Sequence, residues 1–193
     1  MAKARPIPGL DPQAPTGKNA RMIAKVRLED LYSWEGYVDN PSHIVELHNL
    51  RIAAKRLRYT FEVFEDVLPE ACKPLHEELV QIQDELVTLH DTDVMIALLK
   101  LCLGSHDTAT VPDRAQRNGN KHHPQEQALV PPELVERLLD PANTPSTEQR
   151  SGLELFLQRQ EQVREEQYAV FRQHWDALQA RDFKREILEL VEK

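Results

Sequence analysis

The chain has 193 residues, a formal net charge of −8, and a composition that is 40% hydrophobic but only 6% aromatic. A chain of this length can bury a sizeable core as one domain. General nucleic-acid binding needs broad basic surface, so we expect no specific nucleic-acid partner. No run of 18 apolar residues occurs, and residues 1–17 lack the apolar stretch of a signal peptide. These features predict a cytoplasmic protein with no membrane span.

Scarce glycine and sustained 3.6-residue periodicity predict an all-α fold, an antiparallel helical bundle of about four long helices. Residues 1–17 contain four prolines and are predicted to form a flexible arm, followed by one helical domain over residues 18–193. A long flexible excursion at residues 104–130 separates the third and last long helices. The long helices are expected at about residues 18–38, 43–68, 71–102 and 147–180, with Ser42 as a cap of the second and Ser146 or Thr147 as a cap of the last.

One segment, residues 48–62, reads HNLRIAAKRLRYTFE and concentrates positive charge. As a helix it places His48, Arg51, Lys55 and Arg58 on one strip within about 80° of arc. Like charges at these spacings repel, so the strip needs either an internal acid or an external anion. Apolar residues on both flanks predict that the strip faces a groove between helices. Repeated arginine favours phosphate, because its planar fork binds oxyanions through two N–H groups.

The same segment carries a family resemblance. The pattern His48-x-x-Arg51-x-x-x-Lys55-Arg56-Leu57-Arg58-Tyr59-x-x-Glu62 resembles the signature of the CHAD domain, the conserved histidine α-helical domain. A second segment is similar to the family, Ile82-Gln83 followed by Leu86-Val87-x-Leu89-His90-Asp91, with Val87 where the family usually has glycine. Upstream, Asn19-Ala20-Arg21-Met22-Ile23 resembles the first helix of short members. The resemblance covers residues 18–103 and, more loosely, 150–190.

The resemblance implies a helical module that binds inorganic polyphosphate and has no catalytic residues, metal or cofactor of its own. Arg27 and Arg164 each fall on the packing face of a long helix, which predicts a polar channel shared with the strip. The predicted polyphosphate-binding residues are Arg27, His48, Arg51, Lys55, Arg56, Arg58, Tyr59 and Arg164, with Arg21 and Lys25 as additional candidates.

Two other functions stay open. A metal-dependent phosphohydrolase of polyphosphate or triphosphates would need a carboxylate-held metal, and the chain has no Glu-x-Glu pair or Gly-rich phosphate loop. His90, Asp91 and Asp93 span less than one helical turn with no second histidine at i+4, so pairing is favoured over metal binding. Alternatively, the chain is a helical adaptor whose strip is paired internally with Asp84, Glu85, Asp91 or Asp93.

The oligomeric state is also open. Fuller members of the family have two related helical bundles, whereas this chain has the length of one. It is therefore either a minimal version or one half of a homodimer. If the ligand is polyphosphate, association with polyphosphate granules in the cytoplasm is expected.

Overall fold

A computed structural model describes residues 4–104 and 129–192 of the chain. All regular elements within these ranges are helical, which confirms the predicted all-α helical bundle and its four long helices. The α-helices are α1 (Thr16–Tyr32), α2 (Ile44–Val63), α3 (Lys73–Cys102), α4 (Pro132–Leu138), α5 (Thr147–Ala180) and α6 (Phe183–Val191). Short 3₁₀ turns lie at Glu35–Tyr37, Glu70–Cys72 and Pro141–Asn143. None of the helices in the described ranges is both long and apolar enough to cross a membrane.

The chain divides into two compact units, and the boundaries fall inside α3 and α5. The large unit comprises Ala2–Val87 and Ala169–Lys193, and the small unit comprises Thr88–Tyr168. The large unit therefore contains all of α1, α2 and α6, the start of α3 and the end of α5.

The core of the large unit forms where α1 packs against α2 and α6. Leucine and alanine recur every three or four residues along α1 and α2, so each helix presents one continuous apolar face. A fully buried leucine or isoleucine of this kind contributes about 1.5–3 kcal/mol. Tyr32 and Trp175 add an aromatic pair with ring centroids 5.7 Å apart. The fully buried side chains include Leu28, Leu31, Leu50, Leu57, Leu79, Ile82, Leu86, Phe171, Phe183 and Ile187.

Two helices are shorter than the sequence predicts. α1 ends at Tyr32 rather than Val38. The Ser33 hydroxyl donates to the Asp30 carbonyl (2.7 Å), and the chain then tightens into the 3₁₀ turn around Gly36. α2 ends at Val63 rather than Leu68, and turns replace its last segment before Pro69. Proline disfavours helical dihedrals in the residue before it, which is consistent with an earlier stop.

The long helices begin close to the predicted residues, but one of the predicted capping residues is wrong. Ser42 does not cap α2; its own backbone N–H donates to the Asn40 side chain (2.9 Å), closing a turn before the helix. At α5 the prediction is right: the Gln149 N–H donates to the Ser146 hydroxyl (3.3 Å), and the Ser146 N–H donates to the Gln149 side chain (2.9 Å). This reciprocal pair is a capping box.

The small unit has its own apolar cluster. Ala97 and Leu101 of α3 and the buried Val130 are packed with the partly buried Leu134 and Val135 of α4. The Arg150 side chain of α5 donates to the Leu103 carbonyl at the end of α3 (2.9 Å). Most of the predicted excursion at residues 104–130 lies outside the described residues, so its mobility stays a prediction.

Candidate functional site

The basic strip, here Arg51, Lys55 and Arg58 with His48 at its start, runs along α2 beside the face that enters the core. Lys55 is exposed, and Arg51, Arg58 and His48 are half-buried. One flank of the strip is the buried row that includes Leu50, Ala54 and Phe61. The other flank differs from the prediction, because Tyr59 is 43% exposed and Val63 is 74% exposed. The strip is therefore open to solvent along one side.

Tyr59 organises two of the cations. The Lys55 ammonium lies 5.4 Å from the centroid of its ring, and the Arg58 guanidinium carbon lies 4.9 Å from it. The face of an aromatic ring attracts a cation but carries no net charge. Tyr59 thus orients Lys55 and Arg58 without itself neutralising the charge of either.

The strip has more positive charge than its neighbours neutralise. Over residues 4–104 and 129–192, Arg51 and Lys55 form no ion pair, and the buried Arg51 Nε has no hydrogen-bond acceptor. Glu62 is the acid at the end of the strip: its Oε1 lies 3.4 Å from Arg58 Nε and 3.4 Å from His76 Nε2. Neither nitrogen makes a hydrogen bond to it. His48 has contacts of its own and is not free.

Arg56 and Arg27 belong to a second group of charges, here called the Asp30 cluster (Arg5, Arg27, Asp30 and Arg56). Arg56 lies about 100° around α2 from Lys55, and its NH1 is 3.8 Å from the carboxylate of Asp30 on α1. Arg5, in the N-terminal arm, places Nε 3.5 Å from the same carboxylate. Arg27 donates from NH1 to the Arg5 carbonyl (3.1 Å). The predicted set contained neither Arg5 nor Asp30.

The two additional candidates lie on α1. Lys25 donates to the Glu192 carboxylate (2.6 Å), and this hydrogen bond raises the pKa of the lysine. Arg21 is half-buried, close to Gly17 at the start of the helix. The pairing of Lys25 with a carboxylate gives it a structural partner at the surface.

Arg164 lies in the small unit, where it forms an ion pair through Nε with Oδ1 of Asp93. The Asp93 side chain is 3% exposed and that of Arg164 is 13% exposed. Burial raises the pKa of Asp93, and the hydrogen bond from Arg164 opposes that shift only in part. In the alternative of a helical adaptor, Asp93 is one of the acids expected to pair with the basic strip. In the structure its carboxylate pairs with Arg164 instead.

A second of those acids, Glu85, is also engaged elsewhere. His174 of α5 lies between two carboxylates of α3, with Nδ1 3.0 Å from Glu85 Oε2 and Nε2 2.9 Å from Glu78 Oε2. Arg181 donates to the other oxygen of Glu78 (2.8 Å). Burial alone would raise the pKa of Glu78, but the hydrogen bonds from His174 and Arg181 outweigh it, and the pKa is lowered. In the described ranges no three side chains form a metal-binding group.

The second sequence motif lies mainly in the core. Ile82, Leu86 and Leu89 are each no more than 1% exposed, and Gln83 is buried with its side-chain oxygen unsatisfied. These residues fix the packing of α3. These buried positions of the motif therefore serve the packing of α3.

The basic strip and the whole of α2 lie within residues 10–100, the part of the chain that matches a known family. Residues 10–100 match the family model of the CHAD domain. This match supports the resemblance to the CHAD family over that segment. The CHAD segment contains every candidate residue except Arg164, while residues 150–190, the looser part of the resemblance, lie outside it. No curated protein and no solved structure matches the chain.

Proposed function

We propose that this protein binds inorganic polyphosphate through the basic strip of α2, without catalysing its cleavage. The observation that carries the proposal is the unneutralised charge of Arg51 and Lys55, which the described residues leave without an ion pair. CHAD domains are associated in general with polyphosphate or triphosphate binding, which supports polyphosphate as the oxyanion.

The geometry of the strip supports a chain-like anion. The three cations rise along one side of α2 at intervals of three or four residues, so successive phosphates would meet successive positive charges. A buried N–H that lacks an acceptor costs about 1–3 kcal/mol, and phosphate oxygens would supply the acceptors that Arg51 lacks. The exposed side at Tyr59 gives the ligand access.

The proposal is tested by titrating the protein with long-chain polyphosphate at two salt concentrations. Counterion release predicts that the affinity falls steeply as salt rises. The variant Arg51→Ala/Lys55→Ala is expected to lose most of the affinity. Lys18→Ala/Arg159→Ala removes the same two charge types from exposed positions and is expected to bind like the wild type.

Two outcomes would overturn the proposal. The first is a wild-type protein that does not bind polyphosphate. The second is binding that both double variants weaken equally, since it would then depend on total charge and not on the strip. Release of inorganic phosphate from polyphosphate in the presence of Mg²⁺ or Mn²⁺ would contradict the non-catalytic part.

A further inference from the structure

A cleft lies in the large unit, where α2 ends and α3 begins. Its empty volume is about 440 Å³, part of which is open to solvent. It is lined by the last turn of α2, the turns before Pro69, the 3₁₀ turn Glu70–Cys72 and the first turn of α3. All of these lie within residues 61–76, so one continuous stretch of the chain builds the cleft.

Part of the lining of the cleft is apolar. Phe61, Leu68 and Cys72 contribute to it, and all three side chains are buried. Burial raises the pKa of the Cys72 thiol, so the thiol stays neutral near pH 7 and adds apolar surface. An alkyl group placed here is stabilised in proportion to the apolar area that it removes from water.

The rest of the lining is charged, and it holds more carboxylates than cations. Glu62, Glu65 and Glu70 line the cleft together with Lys73. Lys73 Nζ lies 3.3 Å from Glu70 Oε1, so these two charges balance each other. Glu65 forms no ion pair with any residue in the part of the chain that the structure describes. A cation in the cleft would therefore be attracted, and an anion would be repelled.

Glu62 and His76 offer polar atoms that are not fully used. Glu62 Oε1 lies 3.4 Å from His76 Nε2 and 3.4 Å from Arg58 Nε, and neither nitrogen has a hydrogen-bond partner among the described residues. His76 Nε2 is also buried, and an unpaired buried polar atom is unfavourable. A primary ammonium has three N–H donors, which suit the Glu62 carboxylate and, when the imidazole proton is on Nδ1, His76 Nε2.

We propose that this cleft binds a primary aliphatic ammonium ion. The ammonium group lies against Glu62 and Glu65, and the alkyl chain lies against the apolar lining. A metal ion fits less well, because within the described ranges no three side chains form a metal-binding group. The site does not rest on the proposed function, since its ligand is a cation and its carboxylates are not part of the basic strip.

The test is a titration of the full chain with butylammonium chloride at pH 8, where a free imidazole is neutral and an alkylamine is protonated. Backbone amide shifts of isotope-labelled protein report binding, and saturable changes are expected within residues 61–76. Butan-1-ol has the same alkyl chain without the charge. It is expected to bind about three- to tenfold more weakly, the scale of two partly exposed ion pairs. Butyrate is expected to cause no shift there.

Paired variants identify the carboxylates. Glu62→Gln/Glu65→Gln is expected to weaken butylammonium binding about three- to tenfold. Glu133→Gln/Glu136→Gln removes two exposed acids of α4 and is expected to bind like the wild type.

Three results would overturn the inference: no shift within residues 61–76 on adding butylammonium, equal affinity for butan-1-ol, or equal weakening in both double variants. Polyphosphate is absent from every titration, so a failure here leaves the proposed function standing. Conversely, a protein that does not bind polyphosphate leaves this site unaffected.

Discussion

The ion pair between Asp93 and Arg164 is the most buried one described in the small unit, with the Asp93 side chain only 3% exposed. A buried carboxylate that loses its partner is strongly destabilising, because its charge is no longer compensated. Arg164 was predicted to bind polyphosphate, but this contact gives it a structural role that can be tested separately.

Arg164→Met is expected to lower the free energy of unfolding by about 3–5 kcal/mol at pH 8. The folded-state pKa of Asp93 is already raised, and without Arg164 it rises further. A raised carboxyl pKa contributes stability that is present at low pH and lost as pH rises through the folded pKa. The loss in the variant should therefore be smaller at pH 5 than at pH 8, as measured by urea unfolding.

The control for that experiment is Asp93→Leu/Arg164→Met, which removes both charges and should recover much of the stability. If Arg164→Met instead unfolds like the wild type and binds polyphosphate poorly, Arg164 is a ligand-binding residue and the structural role is wrong.

The three cations of the strip give a graded prediction. Arg51→Ala, Lys55→Ala and Arg58→Ala should each weaken polyphosphate binding by about 1–3 kcal/mol if the contacts are charge-assisted. Arg51 and Lys55 have no ion pair in the described ranges, so their removal should change the melting temperature little or relieve repulsion. A marked loss of stability in Arg51→Ala or Lys55→Ala, measured without ligand, would favour internal pairing.

Glu62 should compete with the ligand for Arg58, from which its carboxylate is 3.4 Å away. Glu62→Gln is expected to tighten polyphosphate binding about two- to fivefold, the scale of a partly exposed ion pair. Glu65→Gln, an exposed acid one turn further on, controls for the change in net charge. Equal tightening in both variants would show that total charge, and not the contact with Arg58, is responsible.

Glu78 gives a pH-dependent prediction for stability. Its folded-state pKa is lowered, so its contribution is present above the ordinary value of 4.5 and is lost as pH falls through the folded pKa. Glu78→Gln should therefore be less stable than the wild type at pH 7, and the difference should shrink below about pH 4. Chemical denaturation at pH 7 and pH 3.5 measures this, with the exposed neighbour Glu77→Gln as control. A difference that stays constant with pH would exclude the ionised carboxylate as its source.

The sequence predicts the long helices well because their apolar periodicity is repeated over many turns. The ends of α1 and α2 are missed because each helix is followed by a turn with local hydrogen bonds of its own, such as that from the Ser33 hydroxyl to the Asp30 carbonyl. Such a bond has no periodic signal. The helical wheel also places Arg51, Lys55 and Arg58 together correctly, since that relationship is local.

Partners across helices could not be derived in the same way. Arg5 belongs to a proline-rich arm with no periodicity, and only the folding of that arm onto α1 brings it to Asp30. Likewise, Asp93 and Arg164 are 71 positions apart in the chain. The sequence indicates that the cations need either a carboxylate or an external anion. Tertiary packing determines which arginines and lysines pair with a carboxylate of the chain.

The position of Glu62 has a consequence for selectivity under the proposed function. Its carboxylate lies against Arg58, where an incoming anion would also bind. A monovalent anion that displaces it exchanges one negative charge for another and gains little. A polymer brings many charges at once and also reaches Arg51 and Lys55, which no carboxylate occupies in the described ranges. Glu62 would thus make the strip selective for anions that carry many charges. Small anions would bind it weakly, and long polymeric anions would bind it tightly.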